Sequence, residues 1–271
     1  MTVATAPTTS ARTDDGVTIA YRVRGDGPRA VLFMHGWAGS GAYFEQTLKR
    51  LDLTGLRLIT IDMRGHGASD KPETSWSLDR VAKDVIAVAD HAAAERFVVV
   101  GFSMSAKFAQ FLPCVAPDRV SGQILIAGCP ASEIPFPAET HQDWIDRAGD
   151  RAKLIELTRW FLTQPVEQEV LEAWADDAIK VPRVVLDESL KACLHTSFSD
   201  KLRDVRAPTL IVGGTHDAIF SPEVLRSAVQ APLKGARLVV LDCNHEIPIE
   251  RPVELAGLME AFLAGLGEVS R

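Results

Sequence analysis

No surplus of positive charge exists in this chain: 29 lysines and arginines stand against 36 aspartates and glutamates, for a formal charge of −7 at neutral pH. Phosphate backbones are bound through basic patches, so nucleic acid is not an expected partner. Long apolar runs are lacking too. A membrane-crossing helix needs about eighteen or more consecutive apolar residues, no stretch reaches that length, and no membrane partner is expected. Cysteine is sparse: Cys114, Cys129, Cys193 and Cys243 are scattered without metal-ligand spacing. They read as reduced thiols, with neither a disulfide framework nor a metal site implied. The opening residues, Met1 to Pro7, hold no basic segment followed by an apolar core. No secretory signal is therefore expected, and the cytoplasm is the expected compartment. Internal repeats and low-complexity tracts are missing as well.

What is present suffices for one enzyme-sized unit, since 46% of the 271 residues are hydrophobic and α/β folds of that length often stay undivided. Val17 to Val23 alternates after the Asp15-Gly16 turn and reads as an antiparallel edge strand. Ala30–Met34, Leu56–Ile61, Phe97–Val100, Ser121–Ala127, Ala207–Gly214 and Arg237–Leu241 read as further strands. Leu78, Val81, Val85 and Val88 have helical spacing, so strands and helices alternate. The fold class is α/β, with a mostly parallel sheet carrying helices on both faces.

Between residues 132 and 199 strand-like runs vanish, and charged helical segments rich in tryptophan take over. An inserted helical cap is expected there, with 1–131 and 200–271 forming the core. Pro135 and Pro137 mark its entry, and Pro165 and Pro182 divide it into short helices. Trp144, Trp160, Phe161 and Trp174 should mostly form the cap's own small core. One or two should face down onto the core, with Trp144 and Trp160 as candidates.

Chemistry concentrates after the strands. Gly101-Phe102-Ser103-Met104-Ser105 follows the β-branched run Val98-Val99-Val100, which puts Ser103 at a sharp strand-to-helix turn. A serine capping any helix would leave a similar trace, and Ser105 stands where a second glycine is usual. A serine nucleophile needs a base and a third group that holds the base in one tautomer. Asp217 lies in the loop after the 207–214 strand, and His245 in the loop after the 237–241 strand. Their order is Ser, Asp, His. The strand at 30–34 leads into His35-Gly36-Trp37, a loop able to supply a backbone oxyanion donor, although a simple strand-end turn fits it as well. The amides of Trp37 and Met104 are the two candidate donors.

With these segments and the turn Asp62-Met63-Arg64-Gly65-His66-Gly67-Ala68-Ser69-Asp70, the chain resembles the α/β-hydrolase superfamily over nearly its whole length. It is most similar to the cofactor-free haloperoxidase, aryl esterase and perhydrolase group. That resemblance implies an α/β-hydrolase fold and a serine esterase or lactonase with the triad Ser103, Asp217 and His245. It implies no metal or other cofactor. It also implies that His66 is structural. The expected partner is a small ester or lactone, and a homo-oligomer is possible. His35, Phe102, Trp144, Trp160 and Ile219 are candidate pocket residues; Phe102, Trp37, Met104 and Ile219 should favour an apolar or aromatic acyl group. Carbon–carbon bond hydrolysis, hydroxynitrile lysis, perhydrolysis and a triad-retaining receptor stay open as alternatives. Two readings of Lys107 stand, a solvated helix residue or a charge lining a crevice for an acidic substrate group. Cys243, two residues before His245, is a candidate for oxidation, with packing the alternative role.

Overall fold

The computed structural model describes residues 7–73 and 76–267. Eight strands form one sheet: β1 (Thr8–Arg12), β2 (Thr18–Arg24), β3 (Arg29–Met34), β4 (Leu56–Ile61), β5 (Phe97–Phe102), β6 (Val120–Ile126), β7 (Thr209–Gly214) and β8 (Arg237–Leu241). Their order across the sheet is β1-β2-β4-β3-β5-β6-β7-β8. β2 runs antiparallel to both β1 and β4, and every other pairing is parallel. β5 and β7 are buried at every residue. Successive side chains on a strand point to opposite faces, so such burial requires both faces to be covered by helices.

The expected edge strand at 17–23 is antiparallel but is not the edge. β1 pairs outside it, with Ala11 opposite Ile19. Thr8-Thr9-Ser10-Ala11-Arg12 buries only Ala11, so the polar run carries no apolar alternation to announce a strand.

Register brings the carboxyl ends of the central strands together. Met34 of β3 pairs with Gly101 of β5, and Gly214 of β7 pairs with Leu241 of β8. The loops at 35–37, 103–104, 215–219 and 242–246 therefore emerge on one edge, where open α/β sheets place their ligands.

Between β6 and β7 the chain forms four α-helices, Ala138–Arg147, Arg151–Trp160, Gln168–Ala178 and Arg183–Leu194, and a 3-10 helix, Ser199–Asp204, with no strand among them. Pro137 and Pro182 stand immediately before two of them, where a missing N–H costs nothing. Asp150 caps a third by accepting from the amides of Ala152 and Lys153. Glu250, buried beyond β8, accepts from the Thr163 and Gln164 amides at 3.1 and 3.2 Å, from the Thr163 hydroxyl, and from the Asn244 amide at 3.3 Å. One carboxylate thus joins the helical insertion to the loop that bears His245.

The turn after β4 is a structural knot. Arg64 is fully buried and meets Asp84 at 2.6 and 2.7 Å and Asp15 at 3.1 Å. A buried guanidinium is tolerable only when paired in this way. His66 is buried behind it with its pKa pushed down to about 3, chiefly by burial. No helix among the described residues is long and apolar enough to cross a membrane.

Candidate active site

Ser103 joins β5 to the helix Met104–Val115 with φ +53° and ψ −117°. A side chain in this region costs about 1–3 kcal/mol and persists only where the surroundings enforce it. Here they do. The Ser103 amide donates to the Ile126 carbonyl at 2.9 Å. A Cβ on Gly101 would lie 2.5 Å from the Ser105 carbonyl oxygen and 2.7 Å from the Ala106 Cα, so only glycine fits beneath the turn. Ser105, in place of a second glycine, is fully buried. Its hydroxyl donates to the Met34 carbonyl at 2.6 Å and accepts from the Phe102 amide at 2.9 Å. It ties β3 to β5 and is spent as a strut.

His245 Nε2 lies 2.9 Å from Ser103 Oγ, and His245 Nδ1 lies 2.8 Å from Asp217 Oδ2. An ionised carboxylate only accepts, which puts the imidazole proton on Nδ1 and leaves the Nε2 lone pair facing Ser103. Asp217 Oδ1 accepts from the amides of Ile219 and Phe220, both at 2.9 Å. Burial pushes the Asp217 pKa up, but the His245 charge and hydrogen bond, with these two amides, bring it below the ordinary value. Burial likewise pushes His245 down, and the Asp217 carboxylate more than reverses it, leaving the imidazole above its usual 6.5. The rings of Phe102, Phe161 and Phe220 surround the imidazole at 5.4, 5.8 and 6.0 Å. Asp242, the neighbouring carboxylate in sequence, points outward to His216 at 3.0 Å.

The loop after β3 packs directly on this constellation. A Cβ on Gly36 would stand 2.9 Å from a Phe102 ring carbon and 3.5 Å from the Ser103 Cβ. Among the described residues, neither the Trp37 nor the Met104 amide donates a hydrogen bond. Both N–H groups are thereby left without a protein acceptor. His35, expected in the pocket, is instead wholly buried below it. Its Nδ1 donates to the Gly36 carbonyl at 2.8 Å and its Nε2 accepts from the Met63 amide at 3.1 Å. Burial holds its pKa below the usual value, so it serves as a neutral brace between two loops.

A cavity of about 370 Å³ opens over Ser103. Trp37, Phe102, Met104, Trp144 and Ile219 stand in its wall. Trp160 does not: it is 57% exposed, with the Arg147 guanidinium 4.8 Å above its ring. The chain ends a helix at Trp160, and the next residue, Phe161, faces inward in its place. Trp174 also walls the cavity, so three of the four aromatics at 144, 160, 161 and 174 face it, more than expected. Both readings of Lys107 are corrected. Its ammonium is buried and donates to the carbonyls of Ser132, Cys193 and Thr196 at 2.8, 2.6 and 2.6 Å, fastening the helix that follows Ser103 to both ends of the insertion. Cys243 is fully buried. Cys129 and Cys193, 64 positions apart, bring their sulfurs within 3.3 Å in the cavity wall, a proximity with no trace in their spacing. Among the described residues no group of three or more His, Cys, Asp or Glu side chains is arranged to hold a metal ion.

Residues 29–252 match the family described as alpha/beta hydrolase fold. The AB hydrolase superfamily protein YisY of Bacillus subtilis is 30% identical over 236 residues, covering 82% of this chain and 88% of its own. A non-heme haloperoxidase of Rhodococcus erythropolis is 28% identical, covering 83% and 88%. Among solved structures, an esterase from Exiguobacterium antarcticum superposes with a TM-score of 0.86 at 22% identity, covering 94% of this chain and 99% of its own.

Proposed function

The chain belongs to the alpha/beta hydrolase fold family, and from that premise we propose that it is a serine hydrolase of small carboxylic esters or lactones acting through an acyl-enzyme. The observation that carries this reading is the continuous relay from Ser103 Oγ to His245 Nε2 at 2.9 Å and from His245 Nδ1 to Asp217 Oδ2 at 2.8 Å. His245 takes the Ser103 proton as Oγ attacks the carbonyl carbon, and Asp217 steadies the imidazolium that forms. The carbonyl oxygen gains charge beside the Trp37 and Met104 amides, each able to stabilise the transition state by about 3–4 kcal/mol. Collapse expels the alcohol, which takes its proton from His245. Water, deprotonated by His245, then releases the acid and restores Ser103.

Residues 132–199 act as a cap over a core of 1–131 and 200–271. The cap lends Trp144, Phe161 and Trp174 to the cavity, whose apolar walls favour an apolar or aromatic acyl group. Hydrogen peroxide in place of water would yield a peracid at the same site, a second reading favoured by the haloperoxidase name of one relative.

A chain-length series of p-nitrophenyl esters, with small aryl esters and lactones, tests the proposal on the wild type and Ser103→Ala in parallel. Turnover by the wild type that vanishes in the variant is expected. Equal turnover by both proteins would overturn it, and no turnover by either would favour carbon–carbon hydrolysis, lyase chemistry or ligand reception.

A further inference from the structure

Five carboxylates are buried among the described residues: Asp62, Asp84, Asp217, Glu246 and Glu250. Four of them have both oxygens engaged. Asp62 accepts from Gly41 and Ala68, Asp84 from Arg64 on both oxygens, Asp217 from His245 and two amides, and Glu250 from two separate loops. Glu246 is the exception. Its Oε2 accepts from the Tyr43 hydroxyl, while Oε1 has no hydrogen-bond partner among the described residues and is not sealed from solvent.

Glu246 is only 9% exposed and lies in the wall of the Ser103 cavity. Tyr43, which holds it, stacks on Phe102 with ring centroids 5.0 Å apart and planes 12° off parallel. The carboxylate is therefore fixed against the residue that precedes Ser103. Among the described residues no lysine or arginine stands in the cavity wall, and Glu246 is its one carboxylate. Within the protein Oε1 is an acceptor with room to spare, and an N–H or O–H group entering the cavity can supply its donor.

We propose that Glu246, positioned by Tyr43, is a specificity-determining residue that accepts a hydrogen bond from a hydroxyl or ammonium group on the substrate. The cavity then takes esters bearing such a donor and disfavours those bearing a free carboxylate, which would face Glu246 with no lysine or arginine in the described wall to offset it. The identity of the substrate as an ester rests on the serine-hydrolase reading; the donor preference of the cavity does not.

Two matched ester series separate the possibilities, one varying the end of the acyl arm and one the alcohol arm, each ending in methyl, hydroxymethyl, aminomethyl or carboxyl. The hydroxymethyl and aminomethyl esters of one series should exceed the methyl ester in kcat/KM by about tenfold, as a hydrogen bond to a charged group implies. The carboxyl ester should be slowest. Glu246→Met should bring the donor-to-methyl ratio towards one, and Tyr43→Phe should lower it, with melting curves confirming that both variants fold. In parallel, calorimetric titration of pentylamine, pentanol and pentanoate into Ser103→Ala reads the preference without turnover. Pentylamine is expected to bind at least about tenfold more tightly than pentanoate. A donor-to-methyl ratio near one in the wild type, an unchanged ratio in Glu246→Met, or pentanoate binding as tightly as pentylamine would overturn the proposal. Failure of every ester to turn over, with the calorimetric preference intact, would instead count against the esterase reading alone.

Discussion

Replacing Asp217 with asparagine should disable the site through the tautomer of His245 rather than through any loss of shape. Asp217 Oδ1 accepts from two amides at 2.9 Å, and Oδ2 faces His245 Nδ1 at 2.8 Å. An asparagine in the same rotamer must keep its carbonyl oxygen towards the amides, because an NH₂ there would meet two N–H donors. Its NH₂ then faces Nδ1. The imidazole is forced to accept at Nδ1 and carry its proton on Nε2, so it presents Ser103 with a donor where a base is needed. A wrong-tautomer histidine of this kind lowers kcat by about 10⁴-fold, equivalent to about 5.5 kcal/mol in the barrier. The same change removes the charge that holds the His245 pKa above 6.5, so the acidic limb of the residual activity should move to lower pH. The assay is p-nitrophenyl acetate hydrolysis by both proteins between about pH 5 and 9, read as kcat and kcat/KM. Retention of more than about a tenth of wild-type kcat by a folded Asp217→Asn protein would refute the reasoning.

In the wild type, His245 must be neutral to act as a base, and its pKa is raised, so kcat/KM should climb through a midpoint above 6.5; a midpoint below it would contradict the relay. Lys107→Met strips three carbonyls of their donor and should cost about 3–5 kcal/mol in chemical denaturation, whereas a loss under about 1 kcal/mol would show the ammonium to be dispensable. Gly101→Ala drives a methyl into backbone at 2.5 Å and should destabilise by about 1–3 kcal/mol or more while lowering kcat; a melting temperature equal to wild type would count against this packing. Oxidation by hydrogen peroxide should link Cys129 to Cys193, since their sulfurs at 3.3 Å need close only to about 2.05 Å, with peroxide reduced to water as two thiol hydrogens leave. Peptide maps showing both thiols free after treatment would exclude that linkage.

Placements that follow from a residue's own few neighbours in sequence were the readable ones. The turn at Ser103 is announced by Gly101 and the preceding β-branched run, and Asp217 and His245 each stand a few residues past a strand that the sequence marks as apolar. Roles set by distant partners left no such mark. The carbonyls that hold Lys107 come from residues 132, 193 and 196, so nothing near position 107 distinguishes a buried ammonium from a solvated one. Glu246 sits beside His245 in plain view, yet the hydroxyl that holds it belongs to Tyr43, 203 positions away. Trp160 and Phe161 are equally aromatic, and only the helix end between them decides which faces the cavity. β1 illustrates the opposite limit, a strand held by pairing to β2 with a single buried side chain.

The most direct test is intact-protein mass spectrometry of enzyme quenched in acid during the first turnovers of p-nitrophenyl acetate. The mechanism predicts a fraction of the protein heavier by one acetyl group, mapping to the peptide that holds Ser103 and missing from Ser103→Ala. Product release by a wild type that never carries the acetyl group, with undiminished release by Ser103→Ala, would contradict it.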